Sequence, residues 1–375
     1  MTRYTRAFND IVGFLRIPEK NSLSTASKSR IIFSGIQPTG QPHLGNYLGA
    51  LDNWVKLQPS NEDSESKTYY SIVDLHAITM PQNPAQLREG KLNMAMTLLA
   101  CGVDPKRSIL FEQSRVRAHS ELAWIFNCIT PVGWLGRMTQ WKTKMDSSKS
   151  KGLHAQNLAD ESQTVGLRMG LFDYPVLQAA DILLYKATHV PIGEDQIQHL
   201  ELARDIGTAF NTTFKPTFPL PEAIIPPTKR VMSLREPMAK MSKSDPSDLS
   251  RINLTDSPEA IQSKVGRATT DGVRGISYDP KERPGVSNLL GMYAAMRGLE
   301  MDDAVKAFEN VTSTKEFKEE VAASIVERLA PIQNELKHLQ QDVGYVHHIL
   351  GEGARKANEV ANHNMEEVYK VVGLR

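Results

Sequence analysis

Short apolar runs alternate with longer helical patterns from residue 30 to about residue 210. Each short run is rich in β-branched or aromatic residues and predicts a strand, whereas apolar residues that recur every three or four positions predict a helix. Strands separated by such helices favour a parallel sheet, whose ligands lie beyond the carboxyl ends of the strands. The predicted strands are residues 31–33, 68–73, 108–111 and 189–192, and the predicted helices are 44–57, 84–100, 118–129, 175–184 and 195–210.

Two stretches depart from this alternation. Residues 138–168 are polar and rich in Lys and Ser, so they form either a solvated surface loop or a mobile lid that meets phosphate. Residues 216–227 are rich in proline and predict extended chain. From residue 286 onward the pattern is a series of amphipathic helices, which predicts that the last third is a helical domain.

Composition excludes several classes of protein. The 375 residues are 40% hydrophobic and 23% charged, and no apolar run approaches membrane-spanning length, so we do not expect a membrane protein. A net charge of +1 does not indicate nucleic-acid binding by the chain as a whole. Cys101 and Cys128 lie outside any CxxC or Cys/His cluster, which argues against a zinc site or a disulfide framework.

The first 30 residues differ from the rest in charge. They contain six basic residues and two acidic ones, with several Ser and Thr and no core pattern. A basic, hydroxyl-rich leader without a continuous apolar stretch is typical of a mitochondrial transit peptide and not of a secretion signal. We therefore predict a transit peptide at residues 1–29, with a disordered cytosolic tail as the alternative.

The first candidate for chemistry lies where the first strand ends. Residues 30–47 read RIIFSGIQPTGQPHLGNY, which predicts a strand, a tight loop and a helix start. Such a junction directs backbone N–H groups and the positive end of a helix dipole at one point, which suits an anion such as phosphate. Gln41 and Pro42 stand where a Walker A loop needs Lys and Ser or Thr, and no GxGxxG is present. What remains is the pair His43 and Asn46 on either side of a glycine.

The second candidate lies far along the chain, where residues 240–246 read KMSKSDP. Lys240 and Lys243 place two ammonium groups among small hydroxyls in a short loop, which suits a polyphosphate. A generic Lys/Ser loop is usually a surface feature. The combination of a His-x-Gly-Asn turn with a later KMSKS loop, however, resembles the double signature of class I aminoacyl-tRNA synthetases.

Four further stretches make the resemblance more specific. Residues 32–40 (IFSGIQPTG), 73–79 (VDLHAIT), 174–185 (YPVLQAADILLY) and 190–199 (VPIGEDQIQH) resemble tryptophanyl-tRNA synthetases in order and spacing. The similarity covers roughly residue 30 to the C-terminus. The leader before it has no counterpart in the bacterial form and resembles the mitochondrial form of the family.

The resemblance implies an architecture and a reaction. It implies a Rossmann-like catalytic domain at residues 30–250 with a mobile insert near 142–168, and a helical domain that binds the tRNA anticodon at residues 251–375. The implied reaction activates L-tryptophan with ATP to tryptophanyl-adenylate and then transfers tryptophan to tRNA(Trp), in the mitochondrial matrix. Because the substrate carboxylate is already a nucleophile, positioning and charge stabilisation must supply the rate.

The ATP contacts are likewise implied by the resemblance. His43, Asn46, Lys240 and Lys243 receive catalytic roles, and the two lysines neutralise the leaving pyrophosphate. Mg²⁺ is expected on the ATP phosphates, with no dedicated metal site in the protein. The full set of implied ATP contacts is Gln37, His43, Gly45, Asn46, Lys142, Lys144, Lys240, Met241, Ser242, Lys243 and Ser244.

Tryptophan selection needs an apolar slot with one buried acceptor, because indole offers one N–H donor and no acceptor. The resemblance assigns this acceptor to Asp181, with an exposed helix acid as the alternative. Gln178 stands where bacterial members commonly have methionine. His76, which with Asp74 follows the second strand, is either a ligand contact or a structural histidine. The implied tryptophan contacts are Phe33, Gly35, Gln37, His76, Tyr174, Gln178, Asp181 and Gln196.

The partners follow from the resemblance more than from the residues. Binding of tRNA(Trp) and homodimerisation are family expectations, yet residues 301–375 carry 9 basic and 13 acidic residues and form no basic platform. Three alternatives stay open: another HxGH-type nucleotidyltransferase, a tyrosine-specific synthetase of the same subclass, and a non-catalytic RNA-binding descendant of a synthetase. The intact histidine, asparagine and lysines of the two signatures argue against the last of these.

Overall fold

A computed structural model describes residues 29–60, 63, 65–138, 167–193, 196–225, 230–243 and 245–375. Within these residues, five strands form one sheet in the order β3-β2-β1-β4-β5, and all the pairings are parallel. The first strand is central, so its carboxyl end lies where an open parallel sheet binds ligands. The strands are β1 (Ile31–Ile36), β2 (Lys67–Ile72), β3 (Ile109–Glu112), β4 (His189–Pro191) and β5 (Glu222–Ile224).

Helices connect these parallel strands, which confirms the predicted Rossmann-like α/β class. Helix α1 has three parts: Leu44–Asn46 and Asp52–Leu57 are α-helical, and Tyr47–Leu51 between them has the wider π-helical hydrogen bonding. The further helices of this part are α2 (Asp74–Ala77), α3 (Pro84–Ala100), α4 (Ala118–Ile129), α5 (Val132–Gly136), α6 (Met169–Leu184) and α7 (Ile197–Thr213).

Three elements extend three or more residues beyond their predicted ends: β1, α6, and α7, which ends at Thr213 and not at residue 210. β1 continues to Ile36 because its last residues still pair in register with β2, whereas the apolar run alone ends at residue 33. α6 begins six residues before Pro175, the predicted helix start. Burial of Leu171 and Phe172 offsets the backbone hydrogen bond that a proline inside a helix cannot make. The other three predicted strands lie within one residue of the observed ends.

The last third is helical, as predicted. Its division from the catalytic part at residues 250–251 stays a prediction, because hydrophobic residues on both sides of that point share one core. The helices are α8 (Pro258–Gly266), α9 (Pro284–Arg297), α10 (Met301–Lys306), α11 (Thr314–Gln341) and α12 (Val343–Val372). Within the described residues every helix is too short or too polar to cross a lipid bilayer.

The two faces of the sheet bury separate cores, because successive strand side chains point to opposite sides. On β2, Tyr69 packs into one core and Tyr70 into the other. Helix α12 returns from the helical region to cover β3, one of the two edge strands of the sheet. The helix approaches so closely that a Cβ at Gly353 would overlap the carbonyl oxygen of Leu110.

Candidate active site

The loop after β1 contains the turn that the sequence singles out, residues 41–46, which we call the signature turn. Two backbone hydrogen bonds of 2.8 and 3.1 Å pair the turn with residues 252–254. Within the turn, Asn46 Oδ1 accepts a hydrogen bond from the His43 N–H at 3.1 Å. The start of α1 is therefore fixed both by the following residues and by a distant segment of chain.

The lysine loop, of which residues 240–243 and 245 are described, lies against the loop that leads into the signature turn. Lys243 Nζ donates a hydrogen bond to the Thr39 carbonyl at 2.9 Å. The aliphatic part of Lys243 covers Gly40, where an added Cβ would lie 3.1 Å from Lys243 Cδ and where a φ of +66° already favours glycine. Burial lowers the pKa of Lys243.

A second contact joins the lysine loop to the signature turn itself. A Cβ at Gly45 would lie 2.9 Å from His43 Cε1 and 3.7 Å from Met241 Cβ, so the glycine leaves room for the histidine ring beside the loop. The structure thus brings together two signatures that lie far apart in sequence. Lys240, Met241 and Ser242 share the lysine loop, while Lys142, Lys144 and Ser244 lie outside the described residues.

His43 is buried among cations. Burial, followed by the nearby charges of Lys243, Arg251 and Lys240, lowers the pKa of His43 to about 4. The ring is therefore neutral at neutral pH. A neutral imidazole here can hydrogen-bond an anionic ligand and leaves the positive charge to the lysines and the arginine.

Arg251 was not among the predicted site residues. Its guanidinium donates to the Asp245 carbonyl at 2.9 Å and to Asn253 Oδ1 at 3.3 Å, and it pairs with the Asp248 carboxylate at 3.2 Å. Because Asn253 lies opposite His43 in the backbone pairing, Arg251 connects the end of the lysine loop to the signature turn. A single arginine beyond the KMSKS block carries no sequence signal for this position.

A cavity of about 370 Å³ lies at the carboxyl ends of β1 and β4, beside α6. Residues 35–37 pass from its wall directly into the loop that precedes the signature turn, so the cavity and the turn are parts of one site. All the residues that the resemblance assigns to tryptophan line this cavity, namely Phe33, Gly35, Gln37, His76, Tyr174, Gln178, Asp181 and Gln196.

Asp181 is 1% exposed, which excludes the alternative of an exposed helix acid. Its Oδ1 accepts a hydrogen bond from His119 Nδ1 at 2.6 Å, its Oδ2 accepts one from His76 Nε2 at 2.8 Å, and Gln113 Nε2 donates to both oxygens at 2.7 and 2.9 Å. Burial alone would raise its pKa, but the charge of His119 and the hydrogen bonds from His119 and His76 lower the pKa of Asp181 to about 2. Asp181 is therefore a carboxylate held by three donors.

Two of those donors were missed by sequence reasoning. Gln113 directly follows β3, so the rule that residues after parallel strands meet the ligand site would have found it. His119 lies inside α4, fully buried, and nothing in its sequence context distinguishes it from a core residue. Only the packing of α4 against α6 brings it to Asp181.

The remaining predicted residues have distinct surroundings. The Tyr174 hydroxyl lies 2.7 Å from His199 Nε2, and the His76 ring meets the Tyr174 ring edge-on at 6.2 Å. His76 thus lines the cavity and also donates a hydrogen bond to Asp181, while its contact with a ligand stays a prediction. Asp74 instead accepts hydrogen bonds from the Ser114 N–H at 2.9 Å and from Lys91 at 3.1 Å, which ties together the ends of β2 and β3.

The parallel sheet and the meeting of the two signatures beside a cavity define the class of protein. Residues 25–330 match the family model described as tRNA synthetases class I (W and Y), so the chain belongs to this family. The resemblance drawn from the sequence is thereby confirmed at the level of the class.

Similar proteins that cover nearly the whole chain narrow this class to the tryptophan–tRNA ligases. The Gloeobacter violaceus tryptophan–tRNA ligase is 47% identical over 352 residues, which cover 94% of this chain and 98% of that protein. The mitochondrial tryptophan–tRNA ligase of Schizosaccharomyces pombe is 42% identical over 363 residues, covering 96% and 99%. The Campylobacter jejuni tryptophanyl-tRNA synthetase complexed with ADP and tryptophan is 29% identical, with a TM-score of 0.74 over 92% of this chain and 99% of that one.

Proposed function

We propose that this chain is a tryptophan–tRNA ligase of mitochondrial translation. It activates L-tryptophan with ATP, releases pyrophosphate and transfers the tryptophanyl group to the 3′ end of tRNA(Trp). The observation that carries the proposal is the junction of an apolar cavity, containing a buried carboxylate, with a turn and a loop that present cations. The names of the similar proteins support the choice of amino acid.

The cavity supports tryptophan as the substrate. Its apolar lining suits an indole ring, and Asp181 is an acceptor for the single indole N–H. Phenylalanine has no such donor and would leave the carboxylate without its partner in a closed site, which is how a synthetase rejects a smaller substrate without editing. Tyr174 and Gln196 line the same cavity and are assigned to the ammonium and carboxylate groups of the amino acid.

Catalysis by the signature turn and the lysine loop is electrostatic. The tryptophan carboxylate attacks the α-phosphorus of ATP, the bond from that phosphorus to the bridging oxygen breaks, and pyrophosphate leaves. Lys240 and Lys243 neutralise the charge that develops on the leaving group, while neutral His43 and Asn46 hydrogen-bond the phosphates. Gly45, which carries no side chain and so makes room for the His43 ring, is assigned by the resemblance to the adenine face of ATP.

Mg²⁺ is proposed to enter with ATP. Within the described residues, no group of three His, Cys, Asp or Glu side chains has an arrangement that could hold a metal ion. The groups at the turn are cations and amides, which fit phosphate oxygens better than they fit a divalent cation. Carried by ATP, Mg²⁺ would add to the neutralisation of the leaving pyrophosphate.

ATP–pyrophosphate exchange with each of the standard amino acids in turn tests the proposal. Exchange is expected with tryptophan and not with tyrosine or phenylalanine, followed by charging of tRNA(Trp) when the tRNA is added. Exchange that depends on tyrosine would reassign the chain to the other branch of its family. Exchange with no amino acid at all would overturn the function.

The location is proposed from two observations. The Schizosaccharomyces pombe protein, which aligns with 96% of this chain, is named as mitochondrial. Residues 1–29 have the composition of a transit peptide. We therefore place the enzyme in the mitochondrial matrix. A fluorescent fusion of the full chain is expected to enter mitochondria and resist external protease, while the same fusion without residues 1–29 stays in the cytosol; uptake of both equally would contradict the role of the leader.

A second copy of this chain is the proposed partner of an exposed apolar patch, formed by Ile78, Trp124, Val132 and Met169. These side chains are 57–71% exposed, and Trp124 and Met169 each reach 71%. Contacts between neighbouring residues bring their elements together: Asn127 donates to Asp173 at 3.3 Å, and Gly170 lies beside Thr79.

Patches of this kind mark protein interfaces, and the family expectation is a homodimer. Sedimentation at micromolar concentration is expected to give a dimer that Trp124→Glu dissociates. Met238→Glu is the control, because Met238 is 74% exposed on the segment before the lysine loop. A monomeric wild-type chain, or a dimer unaffected by Trp124→Glu, would contradict the patch as interface.

A further inference from the structure

Behind the carboxylate that faces the cavity lies a line of buried hydrogen bonds that no step of the proposed reaction uses. Asp181 Oδ1 lies 2.6 Å from His119 Nδ1, and His119 Nε2 lies 2.9 Å from the Tyr185 hydroxyl. His119 is 0% exposed and Tyr185 is 1% exposed, and neither lines the cavity. The line therefore runs from the cavity into the core.

The chemistry of the carboxylate fixes the direction of the first of these hydrogen bonds. An ionised carboxylate can only accept, so His119 carries its proton on Nδ1 and donates to Asp181. The other ring nitrogen, Nε2, forms the second hydrogen bond with the Tyr185 hydroxyl, which holds the ring from the side away from Asp181. Burial and the neighbouring Asp181 charge raise the pKa of Tyr185 well above its ordinary value, so the hydroxyl keeps its proton.

The rings of the line are themselves packed in place. Tyr185 stacks on Tyr69 at 4.3 Å and on Phe33 at 5.7 Å, and Phe33 lines the cavity. The Tyr185 ring thus supports the cavity wall while its hydroxyl supports His119. A side chain whose rotamer is fixed by packing and by a second hydrogen bond holds its partner in one orientation.

We propose that His119 and Tyr185 are positioning residues for amino-acid selection, which orient the Asp181 carboxylate toward the indole N–H. Of the three described donors to Asp181, His76 alone lines the cavity; His119 and Gln113 hold the carboxylate from the protein side. Together they fix the plane of the carboxylate, so that Oδ2 stays on the side that His76 and the substrate share. This inference rests on the proposed function, because it requires tryptophan as the substrate.

The test compares tryptophan with its benzothiophene analogue, in which sulfur replaces the indole N–H and the shape is nearly unchanged. The ratio of kcat/KM for tryptophan to kcat/KM for the analogue, in ATP–pyrophosphate exchange, measures how strongly the enzyme recognises the indole N–H. Tyr185→Phe removes one hydroxyl and is expected to lower this ratio about tenfold, the effect of one buried hydrogen bond. His119→Ala is expected to lower it further, and His119→Asn, whose amide can still donate to Asp181, is expected to restore part of it.

The matched control is Tyr69→Phe, which removes the same atom from the neighbouring ring of the stack and leaves the Tyr185 hydroxyl in place. Its ratio is expected to equal that of the wild type. A merely structural role for Tyr185 would lower the rates for both substrates by the same factor, and an unchanged ratio in Tyr185→Phe would overturn the proposal. Should His119→Ala fail to fold, Tyr185→Phe alone still decides.

The same experiment separates this inference from the proposed function. If the wild-type chain activates neither substrate, the proposed function fails. If it activates tryptophan and its benzothiophene analogue equally well, the assignment of Asp181 to the indole N–H fails, and the positioning proposal fails with it. Only a wild-type preference for tryptophan that Tyr185→Phe reduces supports the positioning role.

Discussion

The two halves of the active site hold their charged groups in opposite ways. In the cavity, Asp181 is a buried anion with hydrogen bonds from three donors. His76 and His119 lie in helices α2 and α4, and Gln113 directly follows β3. At the signature turn, cations cluster around His43, whose pKa is lowered first by burial and then by their charge. The positions of these groups depend on loops and on pairing with residues 252–254. The cavity holds an anion whose hydrogen bonds from the protein are already made, whereas the turn presents cations that attract a negatively charged ligand.

This difference assigns different tasks to the halves. A buried carboxylate held by three donors in a packed layer is rigid, and a rigid acceptor discriminates between ligands by whether each offers it a donor. A cluster of cations stabilises charge that appears in the transition state, and such interactions control rate. Substitutions in the cavity are therefore expected to change which amino acid is used, and substitutions at the turn are expected to change how fast it is used.

Asp181→Ala is expected to have the largest effect of any single substitution in either half. Among the described residues that line the cavity, Asp181 carries the only carboxylate, and its loss removes the penalty for a substrate without an N–H. Preference for tryptophan over phenylalanine is therefore expected to fall by a factor on the order of 10³, measured as kcat/KM for the two amino acids in ATP–pyrophosphate exchange. Asp173→Ala is the control, since Asp173 lies on the same helix but does not line the cavity. Unchanged selectivity in Asp181→Ala would reject its role.

Lys243→Ala is expected to have the next largest effect, on rate. The lysine is assigned to charge that develops as pyrophosphate leaves, so the activation rate is expected to fall by about 10²-fold to 10³-fold, while the Kd for tryptophan changes little. Rapid-quench kinetics and equilibrium binding measure the two quantities. Lys318→Ala is the matched control, because Lys318 also donates to a backbone carbonyl and its pKa is also lowered by burial. Equal losses in rate and tryptophan affinity would contradict the comparison.

Sequence reasoning predicted some features of each half of the active site and missed others. Local periodicity predicted the α/β class and most strand positions, because the pattern of hydrophobic and polar residues within a short stretch of chain indicates its secondary structure. The resemblance predicted which residues line the cavity. It did not predict Arg251 or His119, since each reaches its site through packing between segments that are distant in sequence. The start of α6 was wrong for a related reason: tertiary burial of Leu171 and Phe172 overrides the local preference of proline.

Gly353→Ala is expected to affect both halves equally, which makes it a control for the comparison. A Cβ there would overlap the Leu110 carbonyl oxygen, so α12 must move away from the sheet edge. The expected loss is about 1–3 kcal/mol in the free energy of unfolding, measured with urea. Gly351→Ala, two residues earlier in the same helix with nothing within 4 Å of its Cβ, is expected to stabilise by up to about 1 kcal/mol. Equal stabilities for the two variants would show that α12 does not pack as described.

The smallest predicted effect is the pH dependence of stability. It distinguishes the two halves of the active site, because His43 and Asp181 titrate over different pH ranges. His43 has a folded pKa of about 4 against an unfolded value of 6.5, so between these values the unfolded chain binds a proton that the folded chain does not. The stability from neutral His43 is full above pH 6.5 and is lost as the pH falls toward 4. Asp181, with a folded pKa of about 2, contributes stability that is lost only below its unfolded value of 3.8.

Acidification from about pH 7.5 to about pH 5.5 is therefore expected to reduce the free energy of unfolding by about 1 kcal/mol through His43 alone. Asp181 stays ionised in both the folded and the unfolded chain over this range and contributes no change. Urea unfolding of the wild type and of His43→Gln, compared at the two pH values, measures this contribution as a difference. Arg251→Gln removes one of the cations that lower the pKa of His43, so it is expected to raise that pKa in an NMR titration and to reduce the pH dependence. An equal pH dependence in the wild type and His43→Gln would mean that folding does not lower the pKa of His43, and the turn would then differ from the cavity less than the comparison requires.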